Sequence, residues 1–308
     1  MKYVYGPIPS RRLGFSLGVD VVPYKTCTLD CIYCQLGRTT CKTVERKPYA
    51  QRDIVCREIQ QVLNKNQQVD YITFSGSGEP TLNAEIGAFI KEVKTITSLP
   101  VVVLTNGTLF FREDVRKDLR EADIVMPSLD AASDSLFRKI NRPHPMLNSE
   151  TILRGLRCFR EEYKGGIWLE VMLIKNCNDN AEELMRLRDA ITDVRPDKVY
   201  LNTVVRPPAE KYAKSLNRTE MLSVKKVLDQ KCEVIAEFSG HKVGETKDVE
   251  EAIVEMAKRR PLTITDMANV LGISDANAKT WVKGLQESGK LRVRQYDGKK
   301  YYSYAGDE

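Results

Sequence analysis

The sequence predicts an α/β fold: a partial (βα)6 TIM-like barrel followed by a C-terminal winged helix-turn-helix domain. The first observation behind this is a set of apolar, β-branched runs at residues 16–23, 69–74, 101–105, 124–129, 167–174 and 199–203. The second is helical periodicity between them, at 52–64, 84–96, 112–122, 149–163 and 181–194. Parallel strands need a long return path, which such helices provide. Nearly all-apolar strands suit a sheet covered on both faces. Six such units are too few for a closed eight-stranded barrel, so the barrel is open or partial. The third observation is a change of pattern beyond residue 247.

Taken in order, a helix at 220–229 and a short apolar run at 232–238 close the first domain, 1–240. Two glycines and several polar residues make 239–247 a linker. In the second domain, 247–308, Asp248 can cap a helix that Pro261 stops after Arg260. A shorter helix at 265–271 ends at Gly272, and Ser274 caps a third that Gly289 terminates. Residues 291–295 and 299–304 flank Asp297-Gly298, a hairpin signal. Three helices and a hairpin form the winged-helix pattern.

Composition narrows the function classes. The chain has 308 residues, 42% of them hydrophobic, which fits a folded protein of two domains and excludes general disorder. It contains no apolar run of about eighteen residues, and its first residues lack the apolar stretch of a signal peptide. A cytoplasmic location without membrane contact is therefore expected. The net charge of +6 permits an anionic partner without demanding one.

Eight cysteines in so long a chain do not form a secreted disulfide scaffold. Cys27, Cys31 and Cys34 lie within one short loop after the first strand, whereas Cys41, Cys56, Cys158, Cys177 and Cys232 are scattered. Soft thiolates bind iron–sulfur clusters or zinc. A structural zinc site wants four ligands, and the only histidines, His144 and His241, are distant in sequence. A cubane on three cysteines keeps one iron open to a small molecule. The alternatives are a zinc loop completed by Cys41, or three buried thiols.

This spacing, with Tyr33 as the aromatic before the last cysteine, resembles the radical S-adenosylmethionine (SAM) superfamily. The resemblance implies an iron–sulfur enzyme with a 4Fe–4S cluster whose metal ligands are Cys27, Cys31 and Cys34. It also implies S-adenosyl-L-methionine chelated to the open iron and Tyr33 against the adenine. One electron, from a reductant such as ferredoxin or flavodoxin, would cleave SAM to methionine and a 5′-deoxyadenosyl radical that abstracts hydrogen from the substrate. The cofactor carries this chemistry, and the protein orients it and excludes water.

Sites on barrel-like folds gather at the C-terminal ends of strands. Ser75-Gly76-Ser77-Gly78-Glu79-Pro80 follows the second strand, and its glycines allow close backbone approach. Alone it reads as a turn, but it matches the superfamily's Gly-Glu-Pro element, which assigns Gly76, Gly78 and Glu79 to the SAM amino group. Asn106 at the third strand end and Ser128 and Asp130 at the fourth read locally as a turn and as helix caps. By resemblance they reach the SAM ribose and carboxylate. Glu170, Lys175 and Asn202 are weaker candidates, because alternation turns side chains to either face.

Substrate contacts are expected from Arg11 and Arg12, which could clamp a phosphate or carboxylate, from Asn141-Arg142-Pro143-His144-Pro145, and from Arg206-Pro207-Pro208. Each also reads as a surface loop or a rigid connector. Together they resemble Fe–S oxidoreductases related to wyosine-base synthases, which modify transfer RNA. Those synthases carry three further cysteines ahead of the signature, and this chain has none before Cys27. The wyosine reaction is therefore not transferred.

In the tail, Lys290, Arg292, Arg294, Lys299 and Lys300 could neutralise phosphates, and Tyr296, Tyr301, Tyr302 and Tyr304 could stack on bases or pack the hairpin. Winged helices also dock proteins. The expected function is thus SAM cleavage followed by RNA modification. The alternatives are modification of a peptide or small metabolite with the tail as docking module, and an iron–sulfur redox-sensing DNA-binding regulator.

Overall fold

The computed structural model describes residues 1–308 except 11, 66, 67, 230, 236–248, 307 and 308. Its strands are β1 (Val4–Ser10), β2 (Gly14–Val19), β3 (Thr26–Cys27), β4 (Cys41–Lys42), β5 (Tyr71–Phe74), β6 (Val101–Thr105), β7 (Ile124–Pro127), β8 (Gly166–Leu173), β9 (Lys198–Thr203), β10 (Glu233–Val234), β11 (Leu291–Tyr296) and β12 (Lys299–Tyr304). Its α-helices are α1 (Arg52–Leu63), α2 (Ile86–Ile96), α3 (Glu113–Asp118), α4 (Asp134–Asn141), α5 (Ser149–Glu162), α6 (Ala181–Val194), α7 (Arg218–Leu228), α8 (Val249–Arg259), α9 (Ile264–Leu271) and α10 (Asp275–Glu287).

One sheet runs β1-β2-β5-β6-β7-β8-β9-β10. Every neighbouring pair from β2 onward is parallel, and β1 lies antiparallel on β2 at the edge. This mostly parallel α/β sheet is consistent with a partial barrel. All six anticipated barrel strands are present, and β10 adds a short seventh parallel strand.

Strands β1, β3 and β4 and helix α4 were not foreseen. The segment of β1 contains Pro7 and Pro9, which suggest a loop, yet an edge strand tolerates proline where no ladder donor is needed. Its register shifts between Tyr5 and Ile8, which accommodates Pro7. Helix α4 has only 8 residues, too short for a clear periodic signal. Helix α3 also stops well before residue 122. The expected linker at 239–247, the Asp248 cap and residues 236–238 of the expected last run lie outside the described residues.

Alternation along β8 sorts the two faces. Ile167, Leu169, Val171 and Leu173 are buried in the large core beneath the helices. Trp168, Glu170 and Met172 point to the opposite face, which in a partial barrel is the interior. Pairing with β9 sets Tyr200 beside Glu170 and Asn202 beside Met172 on that face. Leu13, Val102, Ile124, Met126 and Tyr200, with Tyr71, Leu104 and Trp168 against them, form an apolar floor there.

The C-terminal segment has its own core of Ile253, Met256, Leu262, Met267, Leu271, Val282, Leu285, Leu291 and Tyr302. A capping box of Thr263 and Asp266 starts α9, and Gly272, at φ 67°, ends it. Ser274 caps α10 by accepting from the Asn277 N–H. The hairpin turns on Asp297 and Gly298, at φ 47° and 71°, as its two-residue loop requires.

This segment grips the main sheet at its β1 edge and at the residues that follow β9. At the first, the Arg259 guanidinium lies 4.5 Å from the Tyr5 ring centroid and 4.0 Å from Asp20, and Ile8 packs on the C-terminal core. At the second, Tyr296 and Tyr301 donate to the Val204 and Val205 carbonyls at 3.2 and 2.9 Å, and Arg206 donates to the Pro261 carbonyl at 3.1 Å. Tyr302 and Tyr304 belong to the C-terminal core. The four tyrosines therefore pack the segment and dock it to the main sheet.

Candidate cofactor site

The three clustered thiols sit on a loop that leaves β3 and is pinned from two sides. Asp30 N–H donates to the Asn141 carbonyl and Ile32 N–H to the Ile140 carbonyl, each at 2.9 Å, which ties the loop to the end of α4. Thr39 closes the other side through its N–H to Asp30 Oδ1 at 2.8 Å and its hydroxyl to the Leu29 carbonyl at 2.7 Å. Cys27, Cys31 and Cys34 are all free and partly accessible.

Donors surround the sulfurs. Leu29 N–H and Asn106 Nδ2 approach Cys27 Sγ at 3.5 Å, and Asn141 Nδ2 approaches Cys31 Sγ at 3.4 Å. Burial nevertheless raises all three thiols, Cys27 to about 12, with the Glu79 charge as its next cause. Such thiols ionise near neutrality only when a cation replaces the proton. Three soft donors on one rigid loop fit an iron–sulfur cluster. Among the described residues, no three His, Cys, Asp or Glu side chains are placed to share a single metal ion. A cubane holds its thiolates farther apart than one tetrahedral ion does. Cys41, the fourth zinc ligand considered, is exposed on β4.

The Gly-Ser-Gly-Glu-Pro loop follows β5 and packs directly against the cysteine strand. Gly76 has φ 146°, and a Cβ there would lie 2.3 Å from the Asp20 carboxyl carbon. A Cβ on Gly78 would meet the Thr26 carbonyl oxygen at 2.2 Å. Both positions need glycine for close approach. Glu79 is 2% exposed and accepts four hydrogen bonds: from Thr81 N–H and hydroxyl, the Thr105 hydroxyl and Asn106 N–H. Its carboxylate thus braces the loop against β6. Burial raises the Glu79 carboxyl in spite of these donors.

Asp130 has a parallel role on the far side. It accepts from Tyr33 Oη at 2.5 Å, Asn141 Nδ2 at 2.7 Å and Met172 N–H at 3.0 Å, joining the cysteine loop, α4 and β8. Asn106 donates to Thr28 Oγ1 at 2.8 Å and accepts from the Thr108 hydroxyl at 2.7 Å. Ser128 lines a small recess with Asn106, Asp130, Asn141 and Leu29. The structure therefore brings Tyr33, Gly78, Glu79, Asn106 and Asp130 to the cysteine loop, with Gly76 against Asp20 and Ser128 in the recess next to Leu29.

Three residues were not singled out for this place. Asn141 bridges Cys31 and Asp130, although its loop pointed only to substrate contact. Asp20 accepts from Ser77 N–H and hydroxyl at 2.9 and 2.6 Å. Thr28, between the cysteines and Asn106, carried no sequence signal beyond its adjacency to Cys27.

The expected substrate arginines are largely engaged. Arg142 pairs with Glu210 at 2.8 Å and Asp30 at 3.6 Å, and Arg12 pairs with Glu170 on the interior face. Lys175 pairs with Glu220 at 2.6 Å, and Asn202 donates to Glu170 at 2.8 Å. Arg11 lies outside the described residues.

A mostly parallel α/β sheet that presents a three-thiol loop beside a glycine-rich loop at its strand ends defines a class of iron–sulfur enzymes. The chain belongs to the radical SAM superfamily, whose family model matches residues 21–188, over half of its length. It is therefore an enzyme, its cofactors are a 4Fe–4S cluster and S-adenosylmethionine, and its general chemistry is SAM cleavage. It is similar to "UPF0026 protein MJ1312" of Methanocaldococcus jannaschii, 34% identical across 98% of this chain and 96% of that protein. It is also similar to a protein named "GTPase Obg" of Brachyspira hyodysenteriae, 39% identical across 96% of this chain, which spans 44% of that protein. A more distant likeness, at 25% identity over 71% of this chain and 62% of the relative, is to a probable dual-specificity RNA methyltransferase, RlmN, of Shouchella clausii. Among solved structures, a radical SAM methyltransferase from Sphaerobacter thermophilus shares the fold, with a TM-score of 0.54, 16% identity, and coverage of 71% of this chain and 65% of that one. No helix among the described residues is long and apolar enough to cross a membrane.

Proposed function

We propose that this enzyme modifies RNA, with Cys27, Cys31 and Cys34 holding the cluster and the C-terminal segment acting as a winged helix that meets the nucleic acid. When bound, cluster and SAM supply a 5′-deoxyadenosyl radical that takes a hydrogen atom from the substrate. Around them Tyr33 gives an aromatic face held by Asp130, and Asn106 and Ser128 offer polar groups. Gly76 and Gly78 let the backbone close in, while Glu79 fixes that loop. A cytoplasmic ferredoxin or flavodoxin would supply the electron. The domains in this reading are 1–240 and 247–308.

The observation that carries the RNA reading is the placement of the hairpin. Tyr296 and Tyr301 anchor it to the residues following β9, at the strand ends where the thiol loop also lies. Its Arg294, Lys299 and Lys300 remain exposed, a basic rim suited to phosphates. The likeness to a protein named as an RNA methyltransferase supports the same reading. The test is anaerobic. The reconstituted enzyme is given SAM and reductant with and without total RNA, and 5′-deoxyadenosine is quantified over a salt series. RNA should raise turnover, with the gain falling as salt rises. Equal turnover with and without RNA, together with no salt-sensitive RNA binding, would reject the reading.

A further inference from the structure

The interior face holds a polar group that cofactor binding leaves unexplained. The β1–β2 hairpin carries Leu13 into the apolar floor, and the neighbouring Arg12 pairs with Glu170 of β8. Asn202 of β9 donates to Glu170 Oε1 at 2.8 Å and accepts from the Thr203 N–H at 2.9 Å. The Arg12 and Glu170 side chains are 18% and 16% exposed, and Asn202 is buried at 5%. Glu170 forms a backbone bridge with Ser128, and its carbonyl accepts from Leu129 N–H at 2.9 Å. The trio therefore adjoins the strand end that carries Ser128 and Asp130. Across the same face stand two neutral pairs, Ser16 with Thr73 at 2.5 Å and Tyr5 with Ser75 at 2.9 Å.

Charge decides what such a group can accept. Arg12 alone would suit a phosphate or carboxylate, but Glu170 offsets it. A free anion would leave a carboxylate beside it without compensation. What remains is a guanidinium, a carboxylate and an amide in contact, a group that carries both donors and acceptors. That matches an uncharged heterocycle with alternating carbonyl, N–H and amino groups, the pairing by which such side chains read bases.

We propose that Arg12, Glu170 and Asn202 form a recognition site for the donor–acceptor edge of a nucleobase, on the interior face next to the strand end that carries Ser128 and Asp130. This rests on the RNA reading and names the part of the RNA that enters. The Arg12–Glu170 pair satisfies both groups before the base arrives and turns to it on binding.

The test is equilibrium dialysis of the anaerobically reconstituted enzyme with SAM and without reductant. The probes are guanosine, adenosine, cytidine, uridine, inorganic phosphate and ribose 5-phosphate. At least one nucleoside should bind saturably and in preference to the others, and neither phosphate compound should compete with it. The near-isosteric Glu170→Gln and Arg12→Lys, checked for native melting, should each weaken that nucleoside about tenfold or more, and Glu170→Gln should alter the order of preference. Absence of saturable nucleoside binding would overturn the proposal. So would phosphate competing equally, or both variants binding every nucleoside as the parent does. Because no SAM is cleaved in this measurement, nucleoside binding that persists when RNA fails to stimulate turnover would reject the RNA reading alone. Stimulation by RNA without nucleoside binding would reject this site alone.

Discussion

Asn141 ties the chemistry of one sulfur to the frame around it. Its amide nitrogen reaches both Cys31 Sγ and Asp130 Oδ2. Donors to cluster sulfurs stabilise the reduced, more negative state. Asn141→Ala should therefore lower the cluster's reduction potential, read by an anaerobic redox titration followed by electron paramagnetic resonance. An unchanged potential would show that the contact does not persist in the loaded enzyme. Glu79 makes a different point. Its four donors leave no room for an inverted amide, so Glu79→Gln should strand at least one buried donor and cost about 1–3 kcal/mol of stability, measured by denaturant unfolding. At this scale the sequence was legible wherever a motif fixed spacing, as with Cys27, Cys31, Cys34 and Gly76 to Glu79. It read Asn141 only as a substrate contact and was silent on Asp20, because their partners Cys31 and Ser77 lie 110 and 57 residues away in the chain.

Among elements, the Gly-Ser-Gly-Glu-Pro loop is held most closely. Asp20 at the end of β2 occupies the space that a Gly76 side chain would need. Gly76→Ala adds a Cβ at φ 146° against a buried carboxylate, so it should both destabilise the fold by about 1–3 kcal/mol and weaken SAM binding. A thermal melt and a SAM titration check the two effects separately. The parallel strands were readable because Val101–Thr105 and Ile124–Pro127 are almost wholly apolar. Strand β1 was not, because prolines in its 7 residues mask an edge strand whose pairing is settled by β2 rather than by its own pattern. Helix α4 escaped because its 8 residues give barely two turns of periodicity.

Over the whole molecule, the C-terminal segment closes the span between the β1–β2 edge and the residues after β9. Its helices and hairpin were readable from caps and turn residues such as Ser274, Gly272 and Asp297-Gly298. Its docking was not, since Arg259 carries no sequence mark of its place beside Tyr5 and Asp20. Arg259→Ala removes a cation from both the ring and the carboxylate. It should raise amide hydrogen exchange in β1 and α8 while leaving α5 and α6 unchanged. Unchanged exchange in β1 and α8 would mean that the segment is held by its other contacts.

If this fold brings SAM to a cluster on Cys27, Cys31 and Cys34, the enzyme should cleave SAM. The most direct measurement is 5′-deoxyadenosine formed by the anaerobically reconstituted enzyme with SAM and dithionite, set beside Cys34→Ala. The parent should yield product and the variant none. A parent enzyme with a full cluster that neither binds SAM nor yields 5′-deoxyadenosine would contradict this.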